Sequence, residues 1–289
     1  MKYSVFSAST PEWTPEETVT HLAAGGWDGV EWRIIDQPDA GAPGYWAGNR
    51  STWPLTGLED SLERIRQLTK GAGLAFSGIG GYVFCDQRDD VERMLRATAD
   101  LGAAQVRIVS LPLGTEPFMK RGASGRPYPE LLEQARRDYA WAAERAEALG
   151  VKVLLELHHN TITASASSAM RVVDGLNPEA IGVIHDLGNT VIEGWEQPLA
   201  AFEMLGPYLA HVHVKNVQWV HGADGAWSTD WASLEDGVAD LDGYFRALRA
   251  VGYDGWVTVE DFTTQIPLEQ RIASNLEVLR RAEARARAS

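Results

Sequence analysis

Short apolar runs alternate with longer stretches of helical period from one end of this chain to the other, and most of the joins carry a glycine. A glycine just past a helix supplies the left-handed residue that ends it, so each join reads as a helix giving way to a strand. The first run, residues 2–8, leads to Thr14 and then Pro15, Glu16 and Glu17: a threonine cap, proline at the first helical position, and acids at the positive end of the helix dipole. A second strand is read at Gly29-Val-Glu-Trp-Arg-Ile34, followed by a helix over 58–70 and, after Gly71 and Gly73, a strand at 74–78. A helix over 88–101 and Gly102 precede a strand at 105–110, and a helix over 128–149 and Gly150 precede the fifth strand, which begins at Val151. The second half repeats the cycle, with strands at 181–186, 209–215 and 255–260 and helices at 165–175, 197–205, 241–251 and 267–287.

Strands that alternate with helices run parallel, and eight is the number that closes into a cylinder. The expected fold is therefore α/β, a single (β/α)8 TIM barrel with a parallel eight-stranded core, and the length suits one such domain over residues 1–289. Two long loops interrupt the rhythm, 35–57 (with Trp46 and Trp53) and 112–127 (with Pro112, Gly114, Arg121 and Arg126). Both follow strands, which places them on the carboxyl face of the barrel as walls or lids.

The charge narrows the partners. A formal net charge of −14 argues against nucleic-acid backbones and anionic membrane surfaces, both of which need a basic footprint. The lone cysteine, Cys85, excludes an intrachain disulfide framework and a cysteine-based zinc cluster. Met1-Lys-Tyr-Ser-Val-Phe-Ser7 is too short an apolar run for a signal peptide, and no segment approaches 18 apolar residues, so a cytoplasmic protein is expected. A small-molecule partner fits this picture, and a homo-oligomer stays open.

The chemistry lies at the strand ends. Val151-Lys-Val-Leu-Leu-Glu-Leu-His-His-Asn160 reads as a buried strand that finishes in charge, with Glu156 and His158 two apart and so on one side. Asp186, His213 and Glu260 hold the equivalent position on the next three strands, facing the mouth of the barrel. Three carboxylates so close repel one another unless a cation sits among them. Three hard oxygens and an imidazole suit one divalent ion, Mn2+, Mg2+ or Co2+, better than a closed tetrahedral zinc site. Such an ion, chelating a carbonyl and a neighbouring hydroxyl, stabilises the enediolate left when a proton is removed beside the carbonyl. One carboxylate serves as base and a second on the other face returns the proton. Around this centre His158, Lys215, Arg33, Arg107 and Trp46 are the candidate substrate contacts, with Arg33 or Arg107 alternatively paired to Glu31. His211, one pleat deeper than His213, reads as a packed core histidine, and Gly78-Ile-Gly-Gly81 as close backbone approach after the third strand.

The segments Leu-Glu-Leu-His-His, His-Asp-Leu-Gly-Asn, His-Val-His-Val-Lys-Asn and Val-Glu-Asp-Phe resemble the strand-end motifs of the xylose isomerase-like sugar isomerase and epimerase superfamily. That group includes ketose 3-epimerases and inosose isomerases and dehydratases. The resemblance implies Glu156, Asp186, His213 and Glu260 as ligands of one metal ion, and Glu156 and Glu260 as the pair that moves the proton. It implies an isomerase or 3-epimerase of a keto-sugar or related polyol. The same half-reaction ending in loss of a hydroxyl would make a carbon–oxygen lyase on an inosose, keto-glycoside or dehydroshikimate-like substrate. One departure stands out: Asn189 occupies a position often held by histidine, and His158, His159 or His185 are the residues that could take its place.

Overall fold

A computed structural model describes residues 1–113 and 126–288. Its strands are β1 (Lys2–Phe6), β2 (Gly29–Ile34), β3 (Ala75–Gly81), β4 (Gln105–Arg107), β5 (Lys152–Glu156), β6 (Ile181–Asp186), β7 (Leu209–Val214), β8 (Asn216–His221), β9 (Trp227–Ala232) and β10 (Trp256–Val259). All but β8 and β9 pair in parallel and close into an eight-stranded barrel, with β10 joining β7 to β1. The helices are α1 (Pro15–Gly25), α2 (Leu58–Gly71), α3 (Arg88–Leu101), α4 (Tyr128–Leu149), α5 (Ala166–Val173), α6 (Leu187–Ile192), α7 (Pro198–Leu205), α8 (Leu241–Ala250) and α9 (Leu268–Ala288). The chain is thus a closed parallel barrel with helices between its strands, the expected TIM-barrel class. No helix among the described residues is long and apolar enough to cross a membrane.

The start of α1 shows why the local signals work. Thr14 Oγ1 accepts a hydrogen bond from the Glu17 amide at 3.2 Å, and Glu17 returns one by accepting from the Thr14 amide at 2.7 Å. Two amides that the helix cannot satisfy are thereby paired. The apolar core lies between the strands and the helices. Val30, Val106, Val153, Val183, Val212 and Val257 all point outward from their strands and are buried there. Each contributes roughly 1.5–3 kcal/mol by leaving water. The inside of the cylinder is polar by contrast: Ser4 Oγ lies 2.6 Å from Thr258 Oγ1, which in turn meets His211 Nε2 at 2.9 Å.

Three features differ from the expectation. β3 continues to Gly81, so the glycine run lies within the strand and not after it. A Cβ on Gly80 would come within 2.1 Å of the Phe6 ring, and one on Gly81 within 2.6 Å of the Arg107 carbonyl oxygen, so the approach is close for the reason expected. β4 stops at Arg107, with an isolated bridge between Phe84 and Val109 beyond it. Finally, no element was expected over residues 187–192 or 216–232, where α6 and the antiparallel hairpin β8–β9 lie on the carboxyl side. Of the second long loop, residues 114–125, including Gly114 and Arg121, lie outside the described residues.

His185 points outward from β6 into the layer between barrel and helices, where its ring meets Phe202 and its Nδ1 lies 2.9 Å from the Tyr244 hydroxyl. Burial pushes its pKa down to about 3. The folded state therefore refuses a proton that the unfolded chain takes up below about pH 6.5, so stability is intact above that pH and falls as the pH drops towards 3. Near pH 4.5 the cost is roughly 2–3 kcal/mol at 1.36 kcal/mol per unit. Denaturant titrations of wild type and His185→Gln are expected to converge by that amount between pH 7 and 4.5; parallel pH dependences would rule the account out.

Candidate metal centre

Parallel register brings the strand-end residues to one level. Asp186 on β6 sits opposite His213 on β7, His213 sits opposite Thr258 on β10, and Glu156 closes β5. One ligand atom from each of Glu156, Asp186, His213 and Glu260 lies within 4.8 Å of the others, and all four residues are buried. The imidazole is the hub: His213 Nδ1 lies 3.2 Å from Glu156 Oε1, 3.2 Å from Glu260 Oε1 and 3.8 Å from Asp186 Oδ2. The outer oxygens are held by other groups. Arg107 Nη1 donates to Glu156 Oε2 at 2.8 Å, while Lys215 Nζ donates to Asp186 Oδ2 at 2.6 Å and also to Glu260 Oε2. Asp186 Oδ1 accepts from the Asn189 amide at 2.8 Å, so the same carboxylate caps α6.

Below this level lies a residue whose role the sequence reading missed. Glu31 Oε2 accepts from His211 Nε2 at 2.9 Å and from His213 Nε2 at 3.0 Å. The tautomer follows from the neighbours. Gln105 Nε2 donates to the Ser77 carbonyl at 2.7 Å and to His211 Nδ1 at 2.9 Å, which leaves the His211 proton on Nε2, facing Glu31. By taking a proton from His213 Nε2 in the same way, Glu31 turns Nδ1 towards the three acids. The pairing of Glu31 with Arg33 or Arg107 is thus corrected. Arg33 donates instead to Gln37, Thr52 and the Tyr45 carbonyl, and Arg107 to Glu156 and the Gly81 carbonyl. A signal was present: Glu31 shares inward parity with two imidazoles that need an acceptor.

The electrostatics follow from this crowding. Burial raises the Asp186 pKa to about 7, with Lys215 opposing and the charges of Glu260 and Glu156 adding to the rise. Glu260 is also buried, but Lys215 and His213 outweigh the burial and bring it down to about 2. For His213 burial works against the cation, yet Glu31 and Glu260 prevail and hold the imidazole's pKa well above its ordinary value. Glu260 Oε1 is buried without a hydrogen-bond partner among the described residues. An orphaned carboxylate oxygen beside an imidazole nitrogen and two further acids is the donor set of a divalent cation, so the residues present fit one.

A cavity of about 150 Å³ opens above the centre. Arg107, Glu156, Lys215 and Glu260 face into it, as do His158, His159 and Asn189. His158 Nδ1 donates to the His159 carbonyl at 2.7 Å. His159, whose parity pointed it away, also faces the cavity; its Nδ1 donates to Asn189 Oδ1 at 3.0 Å, and Asn189 Nδ2 donates to the Leu157 carbonyl. Burial, reinforced by His158 and Lys215, lowers the His159 pKa to about 3. His185 points away, as its parity required. Trp46 lines the cavity, whereas Arg33 lies behind it, its guanidinium 5.6 Å from the Trp46 ring and 5.0 Å from the Tyr82 ring. Trp53 is buried against Trp32, and Trp219 and Trp227 are exposed on the hairpin. Trp231, on the same hairpin, lines the cavity and was missed because the hairpin was.

Comparison with known proteins agrees with the fold. An inosose dehydratase of Lacticaseibacillus casei is 24% identical over 127 residues, 40% of this chain and 42% of that protein, so the match spans less than half of the relative's length. A 3-keto-D-glucoside 4-epimerase from E. coli superposes with a TM-score of 0.72 at 18% identity, over 97% of this chain and 99% of that one. The IolI protein, whose structure holds a zinc atom, superposes with a TM-score of 0.75 at 17% identity over 99% of both chains. At these identities the structural likeness speaks for the fold. The sequence profile of the xylose isomerase-like TIM barrel family matches residues 19–282, and the chain belongs to that family.

Proposed function

We propose that this protein is a divalent-metal-dependent isomerase or 3-epimerase of a keto-sugar or related polyol, in which Glu156 and Glu260 move the proton. The observation that carries this reading is the pair of glutamate oxygens, from two different strand ends, each 3.2 Å from His213 Nδ1. Glu156, Asp186, His213 and Glu260 would hold the ion. When bound, it supplies a Lewis acid that offsets negative charge on the substrate's carbonyl and adjacent hydroxyl oxygens.

The protein's own groups account for the proton transfer. Arg107 on Glu156 and Lys215 on Glu260 each engage the outer oxygen of a glutamate and favour its ionised form, which leaves two bases at neutral pH. Their strands are separated in the barrel by β6 and β7, so the carboxylates approach the cavity from different sides. One takes the proton beside the carbonyl; the other, after picking up a proton from solvent, delivers one to the opposite face. His158, His159 and Asn189 line the cavity where substrate hydroxyls would lie. A second reading, a carbon–oxygen lyase, is favoured by the inosose dehydratase relatives and uses the same first step.

Incubation of the manganese-, magnesium-, cobalt- or zinc-loaded protein with a panel of ketoses in deuterium oxide tests both readings. Uptake at the carbon beside the carbonyl, lost on chelation, is the expected result. An epimer mixture identifies the isomerase and a dehydrated product the lyase, while no uptake from any member refutes the proton-transfer mechanism. Glu31→Gln is expected to weaken binding of the metal by roughly 10–100-fold, since outer partners of ligating histidines carry about that much affinity. Calorimetric titration with Mn2+ checks this, and a loss under threefold would show that Glu31 does not orient His213.

A further inference from the structure

The cavity changes character with height. Ile35, Val109 and Phe262 line it, and Val109 and Phe262 each lie two residues beyond a charged lining residue, Arg107 and Glu260. Two residues of extended chain span about 6.6 Å, so an apolar collar sits roughly one sugar's breadth above the charged floor. Phe262 anchors an aromatic corner that the protein builds for itself, with its ring centroid 4.9 Å from Trp46, 5.2 Å from Tyr45 and 5.4 Å from Trp231. Trp231 comes from the hairpin β8–β9, an addition to the barrel that brings this side chain to the cavity. Tyr82, stacked on the Arg107 guanidinium at 4.3 Å, also lines the cavity.

A free ketose reacting on the floor would push its remaining hydroxyls against these faces, where few donors or acceptors among the described residues replace the water they lose. A flat apolar group would gain from the same surroundings through stacking. We propose that the substrate is a keto-sugar joined to an aromatic or similarly flat apolar group, an aryl glycoside by class, with the sugar on the charged floor and the flat group against Trp231 and Phe262. This rests on the sugar-isomerase reading above.

Calorimetry on the manganese-loaded protein tests it, with phenyl and methyl 3-keto-glucopyranosides of both anomers, D-fructose and phenol as ligands. One phenyl anomer is expected to bind roughly tenfold or more tightly than its methyl counterpart and than fructose. Trp231→Ala should bring the phenyl-to-methyl ratio under about threefold, and Trp231→Phe should keep most of it. Thermal melting monitors the variants, and Phe262→Leu carries the same comparison where Trp231→Ala does not fold. The proposal is overturned by a phenyl glycoside no tighter than the methyl one, by fructose as the tightest ligand, by phenol as tight as its glycoside, or by a ratio that survives both substitutions. Deuterium uptake separates the two ideas. Phenyl preference without uptake from any ligand removes the proton-transfer reading and leaves the ligand class standing; uptake with fructose tightest does the reverse.

Discussion

Glu260→Gln is expected to reduce interconversion of the substrate's isomers by roughly 10²–10⁴-fold, the usual contribution of a positioned acid–base group. The amide keeps an oxygen for Lys215 and nearly the same volume, so the Lys215 contact and the packing around the centre are retained. What is lost is a group that can accept and return a proton. The companion change, Glu156→Gln, should behave alike for the same reason, its amide oxygen still facing Arg107. Steady-state assays on both isomers, together with melting temperatures, decide the matter. If Glu260→Gln kept interconversion within tenfold of wild type, Glu260 would be a ligand only and the second proton carrier would have to be sought among His158, His159 and Lys215.

Lys215→Met is expected to give the largest stability effect. The ammonium is the shared partner of Asp186 and Glu260, and all three groups are buried. Removing one member of such a cluster leaves uncompensated charge, which costs roughly 3–5 kcal/mol. Chelator-treated protein should show that loss in denaturant unfolding at pH 7. Without the lysine both folded-state pKa values rise, that of Asp186 from about 7 and that of Glu260 from about 2. A raised carboxylate pKa favours folding at low pH and loses that benefit as the pH climbs, so the gap from wild type should narrow as the pH falls towards 4. Adding Mn2+ in excess should recover part of the loss by binding the native state alone. A variant as stable as wild type in chelator would mean that the acids there are held protonated and that Lys215 is not their counter-ion.

These residues were legible in the chain to different degrees. Glu156, Asp186, His213 and Glu260 could be placed at strand ends because a buried β-run that finishes in charge marks a strand emerging at a polar site, and the side-chain period of two tells which residue faces inward. His211 was legible by the same parity. Its partners were not. Glu31 is about 180 residues from the imidazoles it serves, and nothing local in Gly29-Val-Glu-Trp-Arg-Ile34 distinguishes an acid that pairs with arginine from one that orients a histidine. Arg33 was misplaced for the opposite reason: parity turned it inward, but the loop carrying Tyr45 and Trp46 folds over it and takes its donors. His159 escaped because alternation lapses where a strand ends, and Asn189, 30 residues on, draws it towards the cavity. The hairpin that brings Trp231 to the site begins immediately after the strand segment of β7, and no turn signal distinguished the two.

Alternating apolar runs and glycine-capped helices determined the barrel, and the charged strand ends determined which four residues face its mouth, because both are consequences of short-range geometry repeated along the chain. Only closure of the cylinder decided which nitrogen of His213 faces the acids, which cation holds each carboxylate, and which aromatic rings rise above them. Those are contacts between segments distant in sequence, and their identity is set by packing in three dimensions.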